Sequence, residues 1–369
     1  MRIVYDLRIL GDRMHGMARY GLELLRAMLE VGGEMGIAVL VRRPEQAALL
    51  PADPRVLGVA TNIAPYGVLS QFLLPKVIYD LTPDIYHCPF YAPPVRYLGR
   101  TIITVHDLIH LRFPADHGAR HRLFHKHVVG PAAAKAQAVF TVSRHSRNDI
   151  VDLLGVDPRR VVITPNAAGP VFQPLPPGEK PAAVRSLGWP ERYILGVGNP
   201  KPHKNLAALV KAHALLKANP PQGLDQVPPL VLVGVGPGEV AGARPGPDLL
   251  LVPHLDDADL ARAYGAASAV ALPSLYEGFG LPALEALACG APLLASRRAS
   301  LPEVTGQAAL LCEPEPEDLA GELGRLLADQ ALRQRLVLAG PAQAARFTWR
   351  QSAETTLEVY RRILDGPWP

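Results

Sequence analysis

PSLYEGFGLPALEALACGAP, residues 273–292, runs from an apolar strand through a glycine-bearing loop into a helix that starts near Pro282. Proline suits a first helical turn because the N–H it lacks would be unpaired there in any case. Gly278 and Gly280 let the backbone approach a ligand closely, and the helix start offers unpaired N–H groups at the positive end of a dipole. Strand, loop and helix in that order form the anion-binding turn of a doubly wound α/β sheet, and this one suits a diphosphate. Glu277 precedes the loop and Glu285 lies one turn inside the helix, so a spacing of eight residues sets two acceptors on either side of a bound anion. Carboxylates there accept hydroxyl donors well. The competing reading has Glu285 complementing the helix dipole and Glu277 solvated.

Outward from this segment, short runs rich in Val, Ile and Leu alternate with amphipathic stretches, the pattern of parallel sheets covered by helices on both faces. The fold class is α/β. Strands are expected near 3–6, 37–41, 56–60, 85–88, 101–106, 138–142 and 161–164, then near 193–197, 230–234, 249–252, 269–273, 292–295 and 308–312. Helices are expected over 17–30, 147–154, 317–328, 332–346 and 348–364. A chain of 369 residues exceeds what one core usually serves. Pro170, Pro174, Pro176, Pro177, Pro181 and Pro190 mark a stretch that resists helix and central strand. The expected organisation is a first Rossmann-like domain over 1–169, a Pro-rich linker over 170–190, a second Rossmann-like domain over 191–347, and a last helix, 348–369, crossing back to the first domain. Such domains place ligands at the carboxyl ends of their strands, here in a cleft between the two.

Composition excludes several classes. With 49% hydrophobic and 20% charged residues, the chain is neither disordered nor collagen-like. Cys88, Cys289 and Cys312 stand too far apart for a zinc pattern or a C-x-x-C pair, which points to a reducing cytosol. The start MRIVYDLRIL lacks a basic leader with an apolar stretch behind it, and no 18-residue apolar run occurs, so a cytoplasmic location without a membrane span is expected. The net charge of +4 is uneven: residues 1–170 hold 20 Lys and Arg against 14 Asp and Glu, and nine of the twelve histidines. That surplus attracts an anionic partner. A nucleic-acid binder would be more basic and more aromatic.

EGFGLPALE, residues 277–285, resembles the E-x7-E element of the retaining glycosyltransferases of family 4, which have the GT-B architecture. The likeness extends through Gly16 to Tyr20, ITVHDLIHLRFP at 103–114, TVSRHSRNDI at 141–150, ITPN at 163–166, GVGNPKPHKNL at 196–206 and SLPEV at 300–304. It is greatest to the mannosyltransferase-like branch of bacterial surface-polysaccharide enzymes. The resemblance implies transfer of a hexose, with mannose as a candidate, from a nucleotide diphosphate sugar such as GDP-mannose or a UDP-sugar to a saccharide or lipid-linked acceptor. It implies that Glu277 with the backbone of Gly278, Phe279, Gly280 and Leu281 holds the donor sugar, and that Glu285 binds the ribose hydroxyls. Neither carboxylate is then a covalent nucleophile: front-face transfer rests on positioning and leaving-group stabilisation, with no cofactor and no metal. A GT-B sugar-nucleotide epimerase and a non-catalytic nucleotide-sugar-binding partner are the alternatives.

Leaving-group charge calls for cations, and Lys201, His203 and Lys204 lie in the loop 198–205. Lys204 is the preferred diphosphate contact, against the reading of a solvated lysine in a first helical turn. Many family members carry arginine where this chain has Asn199, which leaves His203 or Lys201 as the second cation and makes a binding-only role conceivable. His106 and Asp107 close the strand TIITVHD. The resemblance places His106 at the catalytic centre, bonding the donor sugar or the acceptor oxygen, with Asp107 orienting it or binding the acceptor. A structural histidine satisfied by backbone is the competing reading.

Gly16 precedes the first helix in a loop that the resemblance brings to the donor phosphates, whereas Arg19 stays ambiguous between acceptor contact and surface. The basic segment 117–131, with Arg120, Arg122 and Lys126, suggests peripheral contact with anionic membrane at the inner face or a solvated helix face. GVGPG at 234–238 fails the dinucleotide spacing, and in LDDADL at 255–260 Asp256 or Asp257 is expected to cap a helix rather than bind metal.

Overall fold

The computed structural model describes residues 1–11, 16–114, 118 and 123–366. The chain divides into two compact units, Met1–Asn166 with Thr348–Pro369, and Ala167–Phe347.

In the first unit, β1 (Arg2–Asp6), β2 (Gly36–Val41), β3 (Val56–Ala60), β4 (Ile85–Cys88), β5 (Thr101–Thr104), β6 (Ala138–Thr141) and β7 (Val161–Ile163) form one sheet in the order β3-β2-β1-β4-β5-β6-β7. All its pairings are parallel, with Ile3 opposite Ile37 on one side and Ile85 on the other. Every residue of β4 and β6 is buried, which is why these strands read as continuous apolar runs: helices cover both faces. Helix Gly16–Val31 packs against helix Trp349–Asp365, so the C-terminal helix belongs to this unit. Beneath them His87 bonds the Tyr360 hydroxyl, and burial depresses its pKa to about 3, keeping the ring neutral and structural. Helix Arg144–Leu154 is capped by Ser143, whose hydroxyl accepts from the Ser146 N–H at 3.0 Å, and it ends at Gly155 with φ of 67°.

The second unit holds β8 (Ile194–Val197), β9 (Leu230–Val233), β10 (Leu249–Val252), β11 (Ala269–Leu272), β12 (Leu293–Ser296) and β13 (Leu310–Cys312), again parallel and ordered β10-β9-β8-β11-β12-β13. Strand order reverses between β8 and β11, as it does between β1 and β4 in the first unit. These reversals are the switch points where chains leave neighbouring strands in opposite directions and open a crevice.

One expectation needs correction. The stretch 170–190 is not connector throughout: Lys180–Leu187 is a helix that packs on helix Asp257–Ala266 within the second unit. Pro181 sits in its first turn, where no N–H is required, and Gly188 closes it in the left-handed region at φ 68°. Proline count alone could not distinguish a helix start from a linker.

Candidate active site

The two loops singled out by sequence follow the two strands that flank the second switch point. The loop 198–205 leaves β8, and the loop 273–280 leaves β11. They are joined at several points. The Leu275 N–H donates to the His203 carbonyl at 2.7 Å, and Asn205 Nδ2 donates to the carbonyls of Pro273 and Pro314 at 3.2 and 2.8 Å. Asn205 holds the left-handed region at φ 55°, which ends the short turn Pro202–Lys204 and starts helix Leu206–Ala218. Asparagine tolerates this conformation better than most residues, so one side chain both makes the turn and rivets three loops.

At this junction Lys204 Nζ donates to both carboxylate oxygens of Glu277, at 2.7 and 2.9 Å. The Ser274 hydroxyl donates to Glu277 Oε1 at 2.7 Å, and the Ser300 hydroxyl donates to the Glu277 carbonyl at 2.9 Å. The two charged side chains are only 15% and 13% exposed, so their attraction is little screened and removing either strands the other in a poorly solvated place. Three hydrogen bonds from two donor groups also make this carboxylate a poor nucleophile. The Lys204 ammonium and the Glu277 carboxylate thus form a fixed dipole beside the helix start.

Helix Leu281–Ala288 begins directly after Gly280, whose carbonyl takes the Ala283 and Leu284 N–H groups. Gly280 sits at φ 94°, and a Cβ there would lie 2.7 Å from Leu301 Cδ2, so the loop can turn this tightly only without a side chain. Phe279 is buried edge-on to Phe347, with ring centroids 5.5 Å apart, while Gly278, Leu281 and Pro282 remain half-buried at the helix mouth. Glu285 is 5% exposed. The neighbouring Tyr264 hydroxyl is raised well above its ordinary pKa by burial first, then by the Glu285 carboxylate, with Cys289 and Glu277 adding to it. Both carboxylates thus raise one buried phenol, and Glu285 is itself buried within the helix.

In the first unit, His106 lies two residues beyond β5, where the pairing ends earlier than the sequence suggests. Its ring stands edge-on to Tyr20 at 4.7 Å, and its Nε2 lies 3.0 Å from the Pro89 carbonyl. A carbonyl only accepts, so Nε2 carries a proton in this contact. Tyr20 in turn bonds Thr164 at 2.7 Å, and burial raises its pKa to about 12. Asp107 turns back on the chain, accepting the Ile109 N–H at 3.1 Å. Gly16 is the first residue of its helix rather than a loop residue, and Arg19 is half-buried on that helix.

The remaining readings resolve individually. Asn199 is exposed, and its side-chain oxygen accepts the Lys201 N–H at 3.3 Å, forming a turn. Lys201 is exposed and His203 half-buried. Gly234 has φ 93°, and a Cβ on it would meet the Gly198 carbonyl oxygen at 2.5 Å, so GVGPG serves close packing of two backbones. Asp256 caps helix Asp257–Ala266, accepting the Asp259 N–H at 2.8 Å. Among the described residues no group of three or more His, Cys, Asp and Glu side chains is gathered as a metal site requires. Within the basic segment, residues 117 and 119–122, Arg120 and Arg122 among them, lie outside the described residues, and Lys126 falls in the helical turn His125–Val129. No helix among the described residues is long and apolar enough to cross a membrane. The sequence alone did not reveal Ser274, Ser300, Asn205 and Tyr264 as supports; only Ser274, three residues before Glu277, carried a local signal.

Comparison with known proteins bears on the family and the fold. Residues 180–343 match the family described as Glycosyl transferases group 1, and residues 14–168 match Glycosyltransferase Family 4. The chain is 29% identical to the O-antigen chain mannosyltransferase B of Escherichia coli over 98% of its own length and 100% of that protein. It is 28% identical to the serotype-specific mannosyltransferase WbdA of Escherichia coli over 80% of its length, spanning 38% of that longer protein. The sucrose-phosphate synthase structure from Thermosynechococcus elongatus superposes with a TM-score of 0.78 at 20% identity, covering 99% of this chain and 98% of that one, and shares its fold. With each half matched to its own domain family and both sheets doubly wound, the chain belongs to the family 4, group 1 glycosyltransferases of GT-B architecture.

Proposed function

We propose that this chain is a retaining hexosyltransferase that moves mannose from a nucleotide diphosphate sugar, GDP-mannose or a UDP-sugar, to a saccharide or lipid-linked acceptor in surface-glycan synthesis. The observation that carries the reading is the Lys204–Glu277–Ser274 cluster on the two switch-point loops, beside the start of helix Leu281–Ala288. In this reading the diphosphate takes the helix start and the Lys204 ammonium, Glu277 and the backbone of Gly278 to Leu281 hold the sugar, and Glu285 accepts the ribose hydroxyls. Lys204 and the helix dipole stabilise the charge that develops on the leaving group as the glycosidic bond loosens. The diphosphate oxygen takes the acceptor proton, and His106 bonds a sugar or acceptor hydroxyl in the unit that presents the acceptor. His203 or Lys201 is the second cation, since Asn199 stands where many family members carry arginine. The epimerase and the binding-only readings are less well supported than transfer, given the relatives' names and the complete donor-side cluster.

A labelled nucleotide-sugar panel tests this: nucleotide release coupled to an α-linked product from an α-linked donor is expected. Ligand binding without release, or an inverted product, would overturn it. Activity is expected to survive EDTA, and loss rescued by magnesium or manganese would contradict metal independence. The cytoplasmic location and a peripheral stay at anionic membrane belong to the same proposal. For the latter, Val68, Leu69, Phe72 and Leu73 stand exposed around the start of helix Ser70–Asp80, with Arg96 lying 4.6 Å over the Phe72 ring. That mixture of apolar and basic groups suits a lipid interface. Co-sedimentation with anionic but not neutral liposomes is the expected result, and no retention by either would refute the contact.

A further inference from the structure

The second unit carries a basic hollow that none of the roles assigned above uses. A cavity of about 460 Å³ opens at the amino ends of β8, β11 and β12, lined among others by Lys180, Arg192, Ser268, Gln330, Arg333 and Gln334. Its volume lies within the range of small-molecule sites. Lys204 and Glu277 follow the carboxyl ends of β8 and β11, so the length of the parallel sheet separates the hollow from them.

Charge decides what the hollow can hold. Three of its lining side chains are cationic and none is acidic. Lys180 and Arg192 form no ion pair with any described residue. Both residues are exposed, yet partial burial lowers the Lys180 pKa, the mark of an ammonium partly stripped of water without a counter-charge. Arg333 plays another part: its Nη1 donates to the Leu326 carbonyl at 3.0 Å and to the Leu327 carbonyl. These groups close helix Pro316–Ala328, so the guanidinium covers a negative helix end that would otherwise repel an anion. Lys180 and Gln330 are the first residues of helices Lys180–Leu187 and Gln330–Ala344, whose positive ends add to the field. The nearest acidic residues along the chain, Glu179, Glu191 and Asp329, lie outside the lining, and Asp329 is held as a cap by the Leu332 N–H at 2.9 Å.

An ammonium and a guanidinium fork without partners of their own suit phosphate oxygens. The Ser268 hydroxyl and the Gln330 and Gln334 amides add neutral donors and acceptors of the kind that meet sugar hydroxyls. We infer that this hollow binds a phosphate group, either the free ion or the phosphate of a small sugar phosphate. It is a second ligand site, on the far end of the sheet from the transfer chemistry, and it goes beyond the function proposed above without depending on it.

Calorimetric titration of the full chain, without donor or acceptor, compares mannose 6-phosphate, inorganic phosphate and mannose. Binding of a phosphate-bearing probe but not of mannose is expected. Tighter binding of the sugar phosphate assigns the ester as ligand, and equal or tighter binding of inorganic phosphate assigns the free ion. The double variant Lys180→Ala, Arg192→Ala is expected to raise the phosphate Kd at least about tenfold, the effect of losing a charge-assisted hydrogen bond. Arg192→Gln, which keeps the bulk of the side chain, is expected to weaken binding in the same direction, with the melting temperature of the free protein unchanged. Lys204→Ala is expected to keep the affinity. No binding of either phosphate, an unchanged Kd in both hollow variants, or a loss confined to Lys204→Ala would overturn the inference. Because no arm measures transfer, a chain that binds phosphate here but moves no sugar would refute the proposed function and leave this site standing.

Discussion

The carboxyl ends of the two parallel sheets share a topology but suit different chemical tasks. At the carboxyl ends of β8 and β11, charged side chains neutralise one another: Lys204 grips both oxygens of Glu277, and hydroxyls hold the carboxylate and its carbonyl. Beyond β5 in the other unit the key group is the His106 imidazole, held by a backbone carbonyl and the edge of Tyr20. A paired lysine and glutamate beside a helix start suit an anionic leaving group and sugar hydroxyls. An imidazole at a strand end suits a single hydroxyl. The same sheet end thus carries a paired lysine and carboxylate in one half and an imidazole in the other.

Mutations can break this contrast, the largest effect coming from the charged edge. Lys204→Ala is expected to lower kcat/KM for the donor by about a thousandfold, since it removes leaving-group stabilisation and strands Glu277. Steady-state nucleotide release measures this, and a loss below tenfold would place the leaving group elsewhere. His106→Ala is expected to lower kcat by about a hundredfold while donor KM stays put, the pattern of an interaction made at the reacting centre. A change confined to KM would make the ring a binding group instead. Glu285→Ala should raise donor KM about tenfold with kcat little altered, the worth of one charge-assisted hydrogen bond. The smallest effect is structural: Gly280→Ala, forced into a left-handed conformation against Leu301, should cost about 1–2 kcal/mol and lower the melting temperature of the second unit by a few degrees. Calorimetry reads that shift, and a matching shift in the first unit alone would exclude a local origin.

Much of this was legible in the sequence because parallel strands covered on both faces must be apolar throughout. Each of the thirteen expected strands forms, with ends displaced by one or two residues, as at β5, which stops at Thr104 rather than His106. The helix Lys180–Leu187 was hidden because proline marks both linkers and first turns. On the site, residue types and local spacing brought out Lys204, Glu277 and Glu285, yet the pairing of Lys204 with Glu277 spans 73 residues of sequence and leaves no periodic trace. Asn205 was invisible as a rivet for the same reason, since one of its partners, Pro314, is 109 residues away. Buried Gln46 likewise reads as an ordinary surface amide until its three backbone partners are seen.

The most direct measurement is a crystal structure with bound GDP-mannose. The diphosphate should lie at the start of helix Leu281–Ala288 within hydrogen-bond reach of the Lys204 ammonium, with ribose hydroxyls on Glu285. A nucleotide seated at the loop 234–238, or with its diphosphate beyond the reach of Lys204, would contradict the account.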